Sequence, residues 1–154
     1  MRKKRKYKRI HKSDSKFDSV AVGRFINYIM KGGEKSVAEK VLYKTFENIK
    51  KETEQEPLGI FEKAIDNVSP MLEVISKRVG GANYQVPREV RPERKFFLAC
   101  HWIIDAARSK KGKPMDKKLA EELILASKNE GAAIKKKQNV HRMAEANRAF
   151  AHFA

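Results

Sequence analysis

The residues with the clearest chemical potential in this sequence are lysines and arginines, and they lie in clusters. The 154-residue chain carries 35 Lys and Arg against 19 Asp and Glu, a formal net charge of +16. Residues 1–12 hold eight basic and no acidic side chains, residues 71–113 ten against four, and residues 131–154 five against one. Ammonium and guanidinium groups bind phosphate oxygens. The segregated surplus therefore predicts one face, built from three segments, that binds nucleic acid.

The middle basic segment has the pattern of a β-hairpin. Two β-rich runs, residues 73–79 and 84–90, are separated by Gly-Gly-Ala-Asn at residues 80–83, which suits a turn. Basic residues precede and follow this turn: Lys77, Arg78, Arg88, Arg91, Arg94 and Lys95. A basic ribbon fits along a nucleic-acid groove, where guanidinium groups bind phosphates and the Tyr84 ring can stack on a base. The alternative is a hairpin packed on the protein body, with its arginines in solvent.

A second basic cluster lies near the C-terminus. Lys135, Lys136 and Lys137, followed by Arg142, fall near the start of the last predicted helix. The helix dipole favours anions at that end, so the dipole and the ammonium groups would both attract phosphate oxygens. The alternative is a helix face that is merely solvated.

Helical spacing of apolar residues dominates the rest of the chain. It predicts six helices, with the ribbon, about residues 72–91, between the third and the fourth. The predicted fold class is mainly α, a bundle of six helices with one projecting two-stranded β-hairpin. Residues 13–154 form a single helical domain in this interpretation. Residues 1–12 form a basic, disordered tail that orders on a polyanion.

Individual residues mark the expected helix ends. Asp18 or Ser19 is expected to cap the first helix, and Pro57 to open the third, since a first helical turn does not need proline's missing N–H. Asp116 is expected to cap the fifth helix. The last helix is expected to carry its apolar face as far as Phe150.

Features of an enzyme, a metal protein or a membrane protein are not found in the sequence. The four histidines and Cys100 have no metal-ligand spacing, and neither a phosphate-binding glycine loop nor an acid–base constellation is present. No apolar run approaches the roughly 18 residues of a spanning helix, and no signal peptide is apparent. We therefore expect a non-enzyme without metal or cofactor, away from membranes, with Cys100 as a packed thiol in a reducing cytoplasm.

Two long motifs make the sequence recognisable. Residues 69–92 contain SP, then EVISKRVGGANYQVP and EVRP, and residues 135–152 contain KKK and HRMAEANRAFAH. Over nearly the whole chain from about residue 18, the sequence resembles small-subunit ribosomal protein seven, bacterial type. The resemblance implies a structural component of the small ribosomal subunit that binds the 3′ major domain of small-subunit rRNA and nucleates assembly of the subunit head. It also implies a place near exit-site tRNA and the mRNA path.

The resemblance and the charge map together give the expected contacts. Binding to rRNA is expected from the tail, the ribbon, the loop at 110–113 and the last helix: Arg2, Lys3, Lys4, Arg5, Lys8, Arg9, Lys35, Lys77, Arg78, Arg91, Arg94, Lys95, Lys110, Lys111, Lys113, Lys135, Lys136 and Lys137. Proximity to tRNA is expected for Gly80, Gly81, Ala82, Arg142 and Met143. Neighbouring head and platform proteins are the expected protein partners, and no homo-oligomer is expected. The resemblance also implies a place in the cytoplasmic ribosome, with an organellar ribosome as an alternative, and repression of its own operon in some bacterial members.

Two other functions are compatible with a basic ribbon. A DNA-architectural protein can carry a β-ribbon arm, but such arms usually have a proline wedge at the tip, where this sequence has Gly-Gly-Ala-Asn. An RNA-processing enzyme would need the acid–base constellation that is missing here. Co-sedimentation with ribosomes, association with the nucleoid, or turnover of RNA distinguishes the three.

Overall fold

The computed structural model describes residues 11–153. These residues form six α-helices, one two-stranded hairpin and a C-terminal 3-10 segment: α1 (Val20–Ile29), α2 (Lys35–Thr53), α3 (Pro57–Val68), β1 (Leu72–Val79), β2 (Ala82–Glu89), α4 (Pro92–Ser109), α5 (Met115–Ser127), α6 (Ala132–Ala146) and the 3-10 segment (Arg148–Phe153). The predicted fold class, mainly α with a hairpin between the third and fourth helices, is confirmed. The contacts divide the chain into two compact units, one up to Lys40 and one from Val41 onward.

In the first unit, a turn shaped by Asp14 leads into α1. The Asp14 carboxylate accepts hydrogen bonds from the backbone N–H groups of Lys16, at 3.0 Å, and Phe17, at 3.1 Å. Asp18 follows with a positive φ of 44°, and Ser19 takes the N-cap position. The Ser19 side chain makes no capping hydrogen bond. The sequence therefore located this helix start correctly, but the predicted side-chain cap is wrong.

A close approach of two backbones holds the same segment against α1. A Cβ atom built on Gly23 would lie 2.8 Å from the backbone oxygen of Lys12. Real Cβ atoms do not come so near to a carbonyl oxygen, so any side chain at this helical position would push the segment away. Gly23 is required here for close packing, and its own φ is not positive.

In the second unit, the core is formed by side chains from α2 to α6. Phe46 of α2 meets Phe61 of α3 edge to face, with ring centroids 5.7 Å apart, a favoured arrangement of aromatic rings. The Cys100 thiol is fully buried, which confirms the predicted packed cysteine. Other large side chains that are fully buried in this core are Leu42, Ile49, Ile103, Ile104, Leu119 and Leu123.

Pro57 and Asp116 show how far helix starts could be predicted. Pro57 is the first residue of α3, as expected. At α5, however, Pro114 takes the N-cap position and Asp116 lies inside the first turn. The Asp116 carboxylate accepts a hydrogen bond of 3.1 Å from the Asn48 side chain. A distant partner has therefore taken the side chain that was expected to cap the helix.

The last helix is shorter than predicted. It ends at Ala146, and the side-chain amide of Asn147 donates a hydrogen bond of 2.7 Å to the carbonyl of Met143. The same carbonyl also accepts the backbone N–H of Asn147 at 3.1 Å, so both donors of Asn147 close the last turn of the helix. Phe150 consequently belongs to a separate 3-10 segment instead of α6.

The hairpin is closed by a two-residue turn. Gly80 and Gly81 have φ values of 56° and 90°, and Val79 faces Ala82 across the turn. Two successive left-handed residues match the right-handed twist of the strands, and glycine adopts them without a Cβ clash. Ala82 and Asn83 are paired strand residues, so the predicted four-residue tip is wrong by two residues.

Glu73 fixes the base of the ribbon to α4. Its side chain, 9% exposed, accepts a hydrogen bond from Arg88 of β2 at 2.6 Å and another from Arg94 of α4 at 3.2 Å. Burial raises the pKa of Glu73, but the hydrogen bonds and charges of the two arginines outweigh burial. The pKa of this carboxyl therefore lies below its ordinary value.

Substitution of Gly23 by alanine should destabilise the protein. We expect Gly23→Ala to lower the free energy of unfolding by about 1–3 kcal/mol, as overpacking usually does. Gly59→Ala is the matched control, because Gly59 lies in α3 with nothing within 4 Å of a new Cβ. The free energy of unfolding of the control should rise by about 0.4–1 kcal/mol. Thermal melting checks both variants, and a Gly23→Ala protein that melts at or above wild type contradicts the packing argument.

Loss of the Glu73 charge should have a pH-dependent effect. A depressed pKa contributes stability that is present above the unfolded-state pKa, about 4.3 for glutamate, and is lost as pH falls through the folded value. We expect Glu73→Gln to lower the free energy of unfolding by about 1–2 kcal/mol at neutral pH. This is less than two fully buried charge-assisted hydrogen bonds would contribute, because about half of each arginine side chain is exposed to solvent. The cost should shrink below about pH 4. Denaturant unfolding at both pH values measures it, with the exposed Glu89→Gln as control, and a pH-independent cost refutes the ion pair.

Candidate nucleic-acid interface

Two of the three basic segments meet in the second unit. Helix α6 packs against β1, β2 and α4, so the ribbon and the Lys135–Lys137 cluster belong to one packed body. Most of the remaining segment, residues 1–12, lies outside the described residues. This includes the tail positions assigned to rRNA: Arg2, Lys3, Lys4, Arg5, Lys8 and Arg9. Lys35 belongs to the first unit, where its ammonium lies 3.8 Å from the Glu39 carboxylate.

Many of the predicted RNA contacts are exposed cations. The ribbon, the loop at 110–113 and α6 of the second unit present the exposed residues Lys77, Arg78, Arg91, Lys111, Lys135, Lys136 and Arg142. Lys95 is partly covered. Lys77 also donates a hydrogen bond to the Phe153 carbonyl, so a phosphate would compete with that contact. Solvated guanidinium and ammonium groups on a folded surface can otherwise bind phosphates directly. These residues are the strongest candidates for phosphate binding.

The ribbon arginines divide into two groups. Arg88 and Arg94 are tied to Glu73, although about half of each side chain remains exposed. Arg94 also lies over the Phe97 ring, 4.9 Å from its centroid, a cation–π arrangement. Arg78, further along β1, is exposed and points away from this group in the strand alternation. Arg88 and Arg94 thus stabilise the base of the ribbon, whereas Arg78 is exposed on its outer part.

Two cations of the 110–113 loop are paired with acidic residues of α5. Lys113 is hydrogen-bonded to Glu121, and this contact raises the pKa of Lys113 and lowers that of Glu121. The Lys110 ammonium lies 2.9 Å from the Glu122 carboxylate, whose side chain is fully buried. The sequence pattern of a basic loop did not reveal these partners, which lie eight to twelve residues further along the chain.

Lys137 differs from its two neighbours. Its ammonium donates a hydrogen bond of 2.7 Å to the carbonyl of Asn67 near the end of α3. Burial lowers the pKa of Lys137. Burial and the Lys137 charge also lower the pKa of His141, whose Nε2 accepts a hydrogen bond from the N–H of Met71. Lys137 therefore ties α6 to α3, whereas Lys135 and Lys136 face solvent.

The N-terminus of α6 already holds an anion. The Glu122 carboxylate accepts a hydrogen bond of 3.0 Å from the backbone N–H of Ala133. An internal carboxylate thus occupies a site where a phosphate was expected to approach the helix dipole. The side chains of Lys135 and Lys136 consequently remain as the candidate phosphate ligands of this cluster.

Tyr84 is packed within the protein. Its ring centroid lies 5.1 Å from that of Phe150 and 5.6 Å from that of Phe153, both in the 3-10 segment. Lys77, directly opposite Tyr84 in the ribbon, donates a hydrogen bond to the Phe153 carbonyl. The 3-10 segment therefore covers part of β2, and the Tyr84 ring already contacts two aromatic rings without any base.

A groove of about 690 Å³ runs between the base of the ribbon and the C-terminal elements. Arg88 from β2 and Arg148 from the 3-10 segment both line it, together with His141 of α6. Sequence reasoning did not assign Arg148 to the interface. The only available signal was its place in the second motif, because the contact depends on how the 3-10 segment folds back.

A metal site and a membrane span are both missing from the part of the chain that the structure describes. In residues 11–153, no three or more His, Cys, Asp or Glu side chains are grouped so as to hold a metal ion. Across the same residues, none of the helices is both long and apolar enough to cross a membrane.

Comparison with known proteins finds relatives that match most or nearly all of the chain. A family described as ribosomal protein S7p/S5e matches residues 1–148. The small ribosomal subunit protein uS7 of Thermotoga maritima is 52% identical over 153 residues, and that of Thermosipho africanus 54%, each covering 99% of both chains. The uS7 protein of Treponema denticola is 55% identical over 140 residues, which cover 91% of this chain and 90% of that protein. The chain belongs to the ribosomal protein S7p/S5e family.

Proposed function

We propose that this protein is a structural component of the small ribosomal subunit and that it binds the 3′ major domain of small-subunit rRNA. One observation carries the proposal: a chain of this family brings its ribbon and its C-terminal lysines together in one packed body, with their outer cations exposed. Several exposed cations on one body bind a folded RNA through many phosphates at once. Nucleation of head assembly follows from such binding, because a bound protein fixes the RNA helices that it contacts.

Binding should depend steeply on salt. With ~6 phosphates contacted, we expect the affinity for a 3′ major domain fragment to fall roughly a thousandfold between about 50 and 200 mM salt. The physical reason is the release of counterions from the RNA. Filter binding over a salt series measures the slope, and a nearly flat plot of log affinity against log salt rules out this mode of binding.

Two lysines give a matched pair within that experiment. Lys135→Gln should lower the affinity and reduce the salt slope by about one phosphate contact, with an unchanged melting temperature. Lys137→Gln should lower the melting temperature, because the Asn67 carbonyl loses its donor. It should leave the salt slope close to the wild-type value. If Lys135→Gln lowers the melting temperature and Lys137→Gln reduces the salt slope, the two lysines do not have the roles proposed here.

The ribbon tip is the element proposed to lie against exit-site tRNA, with the mRNA path and neighbouring head and platform proteins nearby. Gly80 and Gly81 are exposed, and a Cβ built on either meets nothing within 4 Å. A tip of this kind presents bare backbone, which allows close approach to another backbone. Arg142 and Met143, both exposed on α6, are proposed to contribute to the same surface.

Shortening the ribbon should separate tRNA contact from rRNA binding. Removal of Arg78, Val79, Ala82 and Asn83 brings Lys77 and Tyr84 next to the glycine turn and keeps the alternation of faces, because two complete pairs are lost. We expect this variant to bind rRNA as Arg78→Ala does, weakened by about 1–3 kcal/mol. It alone should lose tRNA retention on reconstituted ribosomes. Equal retention by the two variants contradicts a role for the tip.

Two further functions are tested with the same assay. Repression of its own operon requires that the messenger contain an RNA fold similar to the one bound in the 3′ major domain, since the same exposed cations would bind either RNA. A messenger leader that competes with the rRNA fragment supports repression. Duplex DNA that competes equally well supports the DNA-architectural alternative.

A further inference from the structure

Glu122 connects two basic segments through one buried carboxylate. The side chain lies on α5 and is fully buried. One of its oxygens accepts the N–H of Ala133 at 3.0 Å, at the start of α6. The other lies 2.9 Å from the Lys110 ammonium, a contact that is an ion pair by distance without the angles of a hydrogen bond. Removal of one partner of a buried carboxylate is costly, so all three groups are held together.

The backbone of Gly131 shows how closely this carboxylate is enclosed. Gly131 takes the N-cap position of α6 with a φ of 97°, a conformation that favours glycine. A Cβ at Gly131 would lie 2.8 Å from a Glu122 oxygen and 3.2 Å from the Cβ of Leu125. Both the backbone conformation and the missing side chain thus serve the approach of α6 to Glu122.

We propose that Glu122 is a positioning residue for RNA binding, and that its carboxylate fixes the loop at 110–113 and the start of α6 relative to each other so that both contact the same RNA. The proposal rests on the proposed function. Glu122 itself touches no RNA, because it is fully buried. It acts through Lys110 and through the orientation of Lys135 and Lys136, which follow Ala133 by less than one helical turn.

The decisive test is the sign of a charge effect. Glu122→Gln removes a negative charge, and an added net positive charge by itself favours binding to a polyanion. If Glu122 is a positioning residue, Glu122→Gln should instead weaken binding to the 3′ major domain fragment about tenfold. Its salt slope should also be smaller than that of wild type. Glu130→Gln is the matched control, since Glu130 is exposed, directly precedes Gly131 and changes charge by the same amount. The control should bind at least as tightly as wild type.

The outcomes separate this inference from the proposed function. If wild type and Glu130→Gln fail to bind the fragment, the proposed function is wrong. If both bind and the folded Glu122→Gln protein binds with wild-type affinity and slope, Glu122 is merely structural and the inference is overturned. A melting curve, recorded for each variant, ensures that affinity is compared between folded proteins.

A second measurement avoids any change to the buried residue. Lys110→Gln, Lys135→Gln and the double variant form a cycle in which both positions lie at the surface or near it. If one carboxylate couples the loop to α6, the double variant should bind at least about threefold more tightly than independent losses predict. Independent, multiplicative losses of affinity overturn the coupling.

Discussion

Two buried carboxylates hold together the elements that carry the basic residues of the second unit. Glu73 and Glu122 are both almost inaccessible to solvent, and each is surrounded by cations or N–H groups from other elements. A carboxylate in that environment is costly unless its partners stay close. Each of these two residues therefore fixes its partners: Glu73 joins both strands of the ribbon to α4, and Glu122 joins α5 to the loop at 110–113 and to α6.

This arrangement divides the cations into two groups with different roles. One group, which includes Arg88, Lys110 and Lys137, makes internal contacts that define the shape of the second unit. The other, which includes Arg78 and Lys135, is exposed and available to phosphate. With a net charge of +16, the protein has more basic side chains than acidic side chains that could pair with them. The surplus is consequently left on the surface, where it favours binding to a polyanion.

The ribbon illustrates the same division along a single element. Near its base, Glu73, Val86 and Val90 are buried, and the 3-10 segment covers Tyr84 further out. Beyond that point the strands are mostly exposed and end in two glycines. The base is therefore held rigidly by packing and charge, while the tip has little bulk and can approach another molecule closely.

The sequence by itself determined the class of the fold, the ribbon between the third and fourth helices, the packed Cys100 and the family. The members of this family are ribosomal proteins, which confirms the prediction of a non-enzyme. Local patterns suffice for these features, because helical spacing, glycine turns and long motifs are contained in neighbouring residues. Several local expectations failed, among them the capping role of Asp116 and the extent of the last helix, where Asn48 and Asn147 offered competing hydrogen bonds.

Which cations are available was decided only by the tertiary structure. Lys135 and Lys137 are identical in type and two residues apart, yet one faces solvent and the other donates to the Asn67 carbonyl, 70 residues away along the chain. Tyr84 likewise has its ring partners in the 3-10 segment, and Lys110 has its carboxylate on α5. Charge patterning shows how many cations a segment holds. Their partners depend on which elements the core brings together, because an ion pair or hydrogen bond acts over a few ångströms and takes no account of distance along the chain.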